Sequence, residues 1–278
     1  MRFVKSLAAV RHPTLLSPCG RPARALLFAA TLTLSYGVAV ATSAPLFATE
    51  FSGNQKSEIE KIVHNYLISN PEVVKDAIDE LEKRQKVAEA NSREQVVAQN
   101  GDKLFSSTHQ AVVGNPSGDV TLVEFFDYNC GYCKRSLNTV AKLIEEDPKL
   151  RVVLKDFPIL GAGSLEAAQV ATAVREQFSG AKFFEFHRKL LGTRGPIGKA
   201  QAMSAAKESG ADMDRLEKAL KNPDVQTALH EAATLADSLH FEGTPSWVIG
   251  KEAVVGDVSL PVMKGKIDNM RKCGKTTC

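Results

Sequence analysis

Two cysteines, Cys130 and Cys133, are the residues whose type and spacing best suit chemistry in this chain. They enclose Gly131 and Tyr132, follow the apolar run 120–126 and open a segment with helical periodicity. Two cysteines three residues apart in a first helical turn lie on one face, close enough for a reversible disulfide. Free N–H groups and the positive end of the helix dipole favour a thiolate at Cys130. The pattern therefore predicts Cys130 as the nucleophile and Cys133 as its resolving partner.

Two other uses of a C-x-x-C pattern are weaker alternatives. A structural zinc site needs four ligands, and the sequence contains no second C-x-x-C and no H-x-x-x-H. A permanent disulfide across so short a loop constrains the unfolded chain little. The histidines show no metal-ligand spacing, and His187 is predicted on a helix rim. We therefore expect neither a metal nor a cofactor beyond the cysteine pair.

Residues 1–48 have the composition of an export signal peptide. Residues 1–24 contain five basic and no acidic residues, and an uncharged stretch follows them and runs to Ala48. Cleavage is predicted after Ala41 or Ala48, with an uncleaved inner-membrane anchor as the alternative. Either way the cysteines leave the cytosol, which predicts an exported protein.

Removing this leader changes the formal net charge from +3 to −2, because every charge that is lost is basic. The remaining chain has no basic excess for nucleic acid, so no nucleic-acid partner is expected. Four cysteines remain, an even number that suits an oxidising compartment. Cys273 and Cys278 are predicted to form a structural disulfide, with an auxiliary redox pair, an intermolecular bridge or a metal ligand as alternatives.

Residues 49–100 are predicted to form a helical arm and linker. Apolar residues recur at helical spacing on both sides of Asn70-Pro71, and Ser57 with Glu60 is predicted as a capping box at the start. Residues 82–99 nearly lack apolar anchors, which indicates a solvated connecting helix. Two such short helices cannot form a core alone. They must pack on their own domain or on copies of themselves, and the polar spacer favours self-association.

Residues 101–278 alternate between strand and helix signals, which predicts an α/β domain. Strands are expected at 111–113, 120–126, 151–155, 247–249 and 253–255, with a final helix near 260–272. The second and third of these strands enclose the helix after Cys130, as in a βαβ unit. The block at about 161–240 is Ala-rich, and its Gly and Pro boundaries predict about four helices inserted into the sheet domain.

The stretch 124–134, followed far downstream by Gly243-Thr244-Pro245-Ser246-Trp247, resembles the DsbA-like periplasmic disulfide oxidoreductases over roughly residues 101–278. The segment 70–78 resembles the N-terminal arm of the ScsC branch, whose members include trimeric disulfide isomerases. The resemblance implies an α/β thioredoxin fold with an inserted helical subdomain, preceded by an N-terminal helical oligomerisation arm. It favours a homotrimer formed through residues 49–100.

The resemblance also implies roles for three residues outside the C-x-x-C motif. Pro245 is expected in the cis form against the cysteines, with Thr244 presenting backbone groups to a substrate strand; an ordinary trans proline is the alternative. Glu124 is expected to be a buried acid that exchanges protons with Cys133, because desolvation disfavours its charged form. The alternative for Glu124 is a strand-edge side chain that faces water.

Gly131 and Tyr132 tune the motif by their position between the cysteines. They match the pair found in DsbC-type isomerases and differ from the Pro-His pair of strongly oxidising relatives, which implies a less oxidising couple. The expected function is disulfide isomerase or reductase activity on unfolded or misfolded secreted proteins, with a membrane thiol–disulfide redox partner. A dithiol oxidase is the first alternative. A copper-binding or copper-tolerance protein is the second, because soft thiolates suit Cu(I).

Overall fold

The computed structural model describes residues 50–278, so the predicted export signal and its cleavage sites lie outside the described residues. Within the described part, the chain divides into two units after Lys61. No helix between residues 50 and 278 has the length and apolar character that a membrane crossing needs.

The N-terminal segment forms the helices α1, Gly53–Ser69, and α2, Glu72–Gln99. Helix α1 begins earlier than predicted. The Ser52 backbone N–H donates to Oε1 of Gln55 at 2.9 Å, and the Gln55 N–H donates to Oγ of Ser52 at 3.4 Å. This reciprocal pair forms the capping box, so the cap predicted at Ser57 is wrong. Ser52 and Gln55 form the amide version of the same S-x-x-E/Q signature five residues upstream, and the helix starts there.

The last turns of α2 belong to the α/β domain. Val97 is buried, and Nε of Arg93 donates to the carbonyl oxygen of Leu239 at 3.0 Å. A single π-helical turn, Asp102–Ser106, follows and buries Leu104. The solvated linker therefore ends before residue 93 rather than at residue 100. The end of α2 that packs on the domain carries two apolar residues, Val96 and Val97, which are too few to create a periodic hydrophobic pattern in the sequence.

Five strands form one mixed sheet. They are β1, Ala111–Gly114; β2, Val120–Phe126; β3, Leu150–Asp156; β4, Ser246–Ile249; and β5, Glu252–Val255. Their order across the sheet is β1-β3-β2-β4-β5. Strands β2 and β3 are parallel, and the other neighbouring pairs are antiparallel. Strand β2 is therefore central, and it leads directly into the cysteine motif.

Both faces of β2 are covered. Helices α3, Gly131–Glu146, and α9, Leu260–Cys273, share a core with Leu122 and Phe126, whereas Val123 and Phe125 pack into a second core. Alternate residues of a strand point to opposite faces. Glu124 therefore belongs to the face that α3 covers. Burial on both faces also explains why β2 reads as a nearly continuous apolar run.

The insertion between β3 and β4 contains five helices rather than about four. They are α4, Ala162–Val174; α5, Gly180–Leu191; α6, Lys199–Glu208; α7, Met213–Ala219; and α8, Pro223–Ser238. The extra helix is α7, which has seven residues. Asp212 caps α7 and Asn222 caps α8, each by accepting a hydrogen bond from a backbone N–H. Two caps so close together produce a helix too short to show a periodic pattern.

Candidate active site

Cys130 is the N-cap residue of α3, one short turn after β2. Its backbone is extended, with φ −74° and ψ 118°, and its N–H donates to the carbonyl oxygen of Asp127 at 3.0 Å. The Cys133 N–H donates to Sγ of Cys130 at 3.3 Å. A sulfur in this position replaces the side-chain oxygen of an ordinary cap, and negative charge is stabilised there. The predicted strand, turn and helix thus place Cys130 at the helix start.

The turn before Cys130 is held by the buried side chain of Asp127. Oδ1 accepts from the Asn129 N–H at 2.8 Å, and Oδ2 accepts from the N–H groups of Ile159 and Leu160 at 2.9 Å each. One carboxylate therefore joins the cysteine turn to the loop after β3. Asp127 was not among the predicted site residues.

Asn129 makes a second connection, to the helical insertion. Its Oδ1 accepts from the Ile197 N–H at 2.7 Å, and its Nδ2 donates to the Ile197 carbonyl at 2.8 Å and to Oγ of Ser164 at 3.0 Å. The residue directly before Cys130 is thus fixed by three hydrogen bonds to residues at least 35 positions away. The sequence signal for these roles of Asp127 and Asn129 was that both are polar residues just after the end of an apolar strand.

Thr244 and Pro245 lie against the cysteine motif, although more than 100 residues separate them from it. Their peptide bond is cis, and Sγ of Cys130 lies 3.1 Å from the Thr244 carbonyl oxygen. The Ser246 hydroxyl donates to the Gly243 carbonyl at 2.7 Å and fixes the turn. The fold therefore brings Thr244 into direct contact with Cys130.

The two cysteines are both free and both buried, but their acidities differ. Hydrogen bonds lower the pKa of Cys130 to about 6; the largest effect comes from the Cys133 thiol, with smaller ones from Thr244 and the helix-start N–H groups. Burial raises the pKa of Cys133, and the Cys130 sulfur and the Glu124 charge add to this effect. Near neutral pH the reduced pair therefore holds one thiolate, on Cys130, and one neutral thiol.

Glu124 is 2% exposed on the central strand. The Ser136 hydroxyl lies 2.9 Å from its Oε1. Burial raises the pKa of Glu124 to about 8, and the hydrogen bond with Ser136 opposes that rise. The alternative in which Glu124 faces water at a strand edge is wrong, because β2 has a neighbouring strand on each side.

Gly131 and Tyr132 lie on the surface beside Cys130. Tyr132 is 57% exposed, and the Arg135 guanidinium lies 4.1 Å from the centre of its ring. Arg135 also pairs with Asp257, with Nε 3.5 Å from Oδ2. The residues between the cysteines therefore form an exposed surface that an incoming chain can reach.

Cys273 and Cys278 form a disulfide at the C-terminal end of α9. Gly274, with φ 73°, ends the helix in the left-handed conformation that glycine accommodates. Nδ2 of Asn269 donates to the Thr276 carbonyl at 3.1 Å, so the terminal loop folds back on the helix.

His187 differs from its predicted position on a helix rim. It is buried, and its Nδ1 lies 3.2 Å from the Tyr128 hydroxyl. His187 lies on the apolar face of α5, and its ring packs edge-on against the ring of Phe126 from β2. Across residues 50–278, no group of three or more metal-ligating side chains is brought together.

Comparison with known proteins agrees with this geometry. Residues 121–268 match the family model of the DSBA-like thioredoxin domain, and residues 55–88 match that of the copper resistance protein ScsC N-terminal domain. The first curated relatives that the chain matches are two Na(+)/H(+) antiporters NhaA of Salinispora, which are 26% and 25% identical to it. The chain spans about a quarter of the length of these relatives, 24% in each case.

Three solved structures illustrate the likeness. A thioredoxin-like oxidoreductase from Silicibacter pomeroyi is 40% identical, with a TM-score of 0.59 and coverage of 62% of this chain and 98% of the other. The thiol-disulfide exchange protein alpha-DsbA2 from Wolbachia pipientis is 31% identical, with a TM-score of 0.60 and coverage of 65% and 96%. Proteus mirabilis ScsC in a transitional conformation is 27% identical, with a TM-score of 0.56 and coverage of 77% and 94%.

The predicted α/β thioredoxin fold with its helical insertion is thereby confirmed. The arm before it matches the corresponding segment of ScsC. The chain belongs to the DSBA-like thioredoxin domain family and is of the ScsC type.

Proposed function

We propose that this protein exchanges disulfides in exported proteins, acting mainly as an isomerase or reductase through Cys130. The observation that carries this proposal is the asymmetry of the pair, in which Cys130 holds the thiolate and Cys133 the thiol. Only a thiolate attacks a disulfide, and only a reduced pair can begin isomerisation. Contacts that favour the thiolate also favour the reduced pair.

The reaction follows from this asymmetry. The Cys130 thiolate attacks one sulfur of a wrong disulfide, so a Cys130–client bond forms and the client's other sulfur leaves as a thiolate. In isomerisation, a second client thiolate then attacks the client sulfur of the mixed disulfide and releases Cys130 unchanged. In reduction, Cys133 attacks Cys130 instead, so the pair is oxidised and the client is reduced.

Thr244 and Pro245 form the wall beside this reaction. The Thr244 carbonyl already lies 3.1 Å from the Cys130 sulfur, so an extended client strand can pair with the Thr244 backbone while its cysteine reaches Cys130. Pro245 has no N–H and leaves no unpaired donor on that side. Glu124 takes the Cys133 proton when Cys133 attacks, because the pKa of about 8 lets it change protonation state near neutral pH.

The arm supports assembly into an oligomer, for which we propose a trimer. A set of exposed apolar side chains on α1 and α2, here the apolar stripe, consists of Ile62, Val63, Tyr66, Val73, Val74, Ile78 and Leu81. Their helical spacing is that of a face made for packing. Soluble proteins rarely leave so long an apolar surface uncovered. Several Cys130 sites held in one assembly would act on one misfolded client.

The acidity of Cys130 favours isomerisation over strong oxidation. Its pKa of about 6 lies nearer to the value of about 7 for thioredoxin than to the value of about 3.5 for DsbA. A less stabilised thiolate makes the disulfide form a weaker oxidant. We therefore propose a periplasmic isomerase kept reduced by a membrane thiol–disulfide partner, with misfolded secreted proteins as clients. Copper binding would rest on the Cys130 and Cys133 thiolates alone, because no group of three or more metal-ligating side chains forms within residues 50–278.

Scrambled ribonuclease tests this function. Reduced full-length protein should restore ribonuclease activity, and Cys130→Ala should restore none. A dithiol oxidase would instead act on reduced ribonuclease and leave the scrambled form inactive. The redox potential of the Cys130–Cys133 couple, measured against glutathione, separates the two functions independently.

The stripe is tested by one substitution and a matched control. Ile78→Glu places a charge in the apolar stripe, whereas Val262→Glu makes the same kind of change at an apolar residue of α9 that is 52% exposed. Light scattering should show a trimer for the wild type and Val262→Glu and a smaller species for Ile78→Glu, which should also lose isomerase activity. A monomeric wild type would contradict the proposed role of the arm.

A further inference from the structure

Ser136 lies one helical turn after Cys133 and is completely buried. Its Oγ lies 2.9 Å from Oε1 of Glu124 and 3.0 Å from the Cys133 carbonyl oxygen. Within residues 50–278, no other group donates a hydrogen bond to the Glu124 carboxyl. Ser136 therefore contacts both the buried acid and the backbone of the resolving cysteine.

A serine hydroxyl has one hydrogen, so it can donate to only one of these two oxygens at a time. When Glu124 is ionised, the hydroxyl donates to the carboxylate. When Glu124 is protonated, the carboxyl group donates to Oγ of Ser136, and the hydroxyl turns to the Cys133 carbonyl. Rotation about one bond thus keeps the buried acid hydrogen-bonded in both protonation states, whereas an unpaired buried carboxylate would be strongly disfavoured.

Other charges around Glu124 act in the opposite direction. Cys130 lies on the helix that covers this face, and Asp257, the partner of Arg135, lies in the loop after β5; the negative charge of each disfavours the carboxylate. Cys133, on the same helix, interacts with the Glu124 charge as well. Ser136 is the neighbouring group that favours ionisation.

We propose that Ser136 is a positioning residue for proton transfer between Glu124 and Cys133. In the mixed disulfide, the Cys133 thiol gives its proton to the Glu124 carboxylate while its sulfur attacks Cys130. The Cys130–Cys133 bond forms, the Cys130–client bond breaks and the client leaves as a thiolate. The Ser136 hydroxyl then turns from Glu124 to the Cys133 carbonyl. This inference rests on the proposed order of attack at the two cysteines and does not depend on whether the protein is an isomerase or an oxidase.

Oxidised glutathione provides the test, since the reduced protein reacts with it in two separable steps. Attack by Cys130 depends on glutathione concentration, whereas release by Cys133 sets the plateau rate at high concentration. Ser136 donates a hydrogen bond to the Glu124 carboxylate, so Ser136→Ala should raise the pKa of Glu124 by about one pH unit or more. Release at pH 7 should be about tenfold slower, the deficit should shrink above pH 9, and the concentration-dependent step should not change.

Three variants make the outcome specific. Ser136→Thr keeps the hydroxyl and should retain the wild-type pH profile. Ser209→Ala removes another buried hydroxyl, one with no hydrogen-bond partner among residues 50–278, and it should leave both steps unchanged. Adding Ser136→Ala to Glu124→Gln should have no further effect on release, because the two residues act as one unit.

Carbon-13 spectra of the Glu124 carboxyl give a readout without turnover. A Glu124 pKa that is the same in Ser136→Ala and in the wild type would overturn the proposal. So would an equal slowing of attack and release, since a general loss of helix packing has that effect. Absence of a plateau, together with absence of a trapped Cys130–glutathione disulfide in Cys133→Ala, would instead contradict the order of attack, which distinguishes the two failures.

Discussion

Replacing Cys133 with alanine should raise the pKa of Cys130 and thereby lower the fraction of Cys130 that is thiolate at neutral pH. The hydrogen bond from the Cys133 thiol is the largest of the effects that lower the Cys130 pKa to about 6. Alanine removes this donor but keeps the backbone N–H that lies 3.3 Å from the Cys130 sulfur. The variant should therefore lose part of the thiolate stabilisation and keep the rest.

The expected size of the change follows from the strength of one hydrogen bond to a charged group. About 1.5–3 kcal/mol corresponds to about one to two pH units, which places the Cys130 pKa of the variant at about 7–8. At pH 7 the thiolate fraction should fall from about nine tenths to between about one half and one tenth. The rate of alkylation at pH 7 should change by less than this fraction, because the intrinsic nucleophilicity of a thiolate rises with its pKa, and the midpoint of the pH dependence should move with the pKa.

Two measurements check this expectation. The ultraviolet absorbance of the thiolate gives the pKa directly, and the pH dependence of iodoacetamide alkylation gives it from reactivity. Cys133→Ser is the matched control, because its hydroxyl still donates and the pKa should stay nearer to 6. Equal pKa values for the alanine and serine variants, or a value near 6 for alanine, would refute the role assigned to the Cys133 thiol.

Cys133→Ala should also accumulate mixed disulfides between Cys130 and client proteins, visible on non-reducing gels; their absence would contradict the order of attack. Asn129→Ala should lower the free energy of unfolding by about 1–3 kcal/mol in urea titrations, because it leaves buried groups unpaired, whereas Asn138→Ala on an exposed face should change it by less than about 0.5 kcal/mol. Burial raises the pKa of Glu124, so the folded protein keeps this carboxyl protonated at pH values where the unfolded chain has lost the proton. The wild type should therefore lose stability as pH rises from 4.5 to about 8, and Glu124→Gln should remove that loss in urea titrations at a series of pH values.

The order of the elements was predictable from the sequence, because each has a clear local pattern. All five strands lie within one or two residues of their predicted positions, and α9 spans Leu260–Cys273 where a helix at 260–272 was expected. Errors arose where the local pattern was brief or duplicated. Helix α7 was missed because it has seven residues, and the cap of α1 was misplaced because two serines carry the same signature.

The reactive group could be identified from local sequence, since Cys130-Gly131-Tyr132-Cys133 after an apolar strand fixes two thiols at a helix start. The family resemblance also predicted from the sequence that Thr244 and Pro245 lie beside these cysteines. Such information is local, because covalent spacing and helical geometry hold wherever the segment lies in space.

The distant groups that control those thiols are brought to them by the packing of the folded chain. The Thr244 carbonyl reaches Cys130 across 114 positions, and Asn129 reaches Ile197 across 68. Burial of Glu124 against Ser136, and hence its raised pKa, depends on a helix packing over the central strand. Desolvation and long-range hydrogen bonds arise from packing, and a linear sequence does not specify packing position by position.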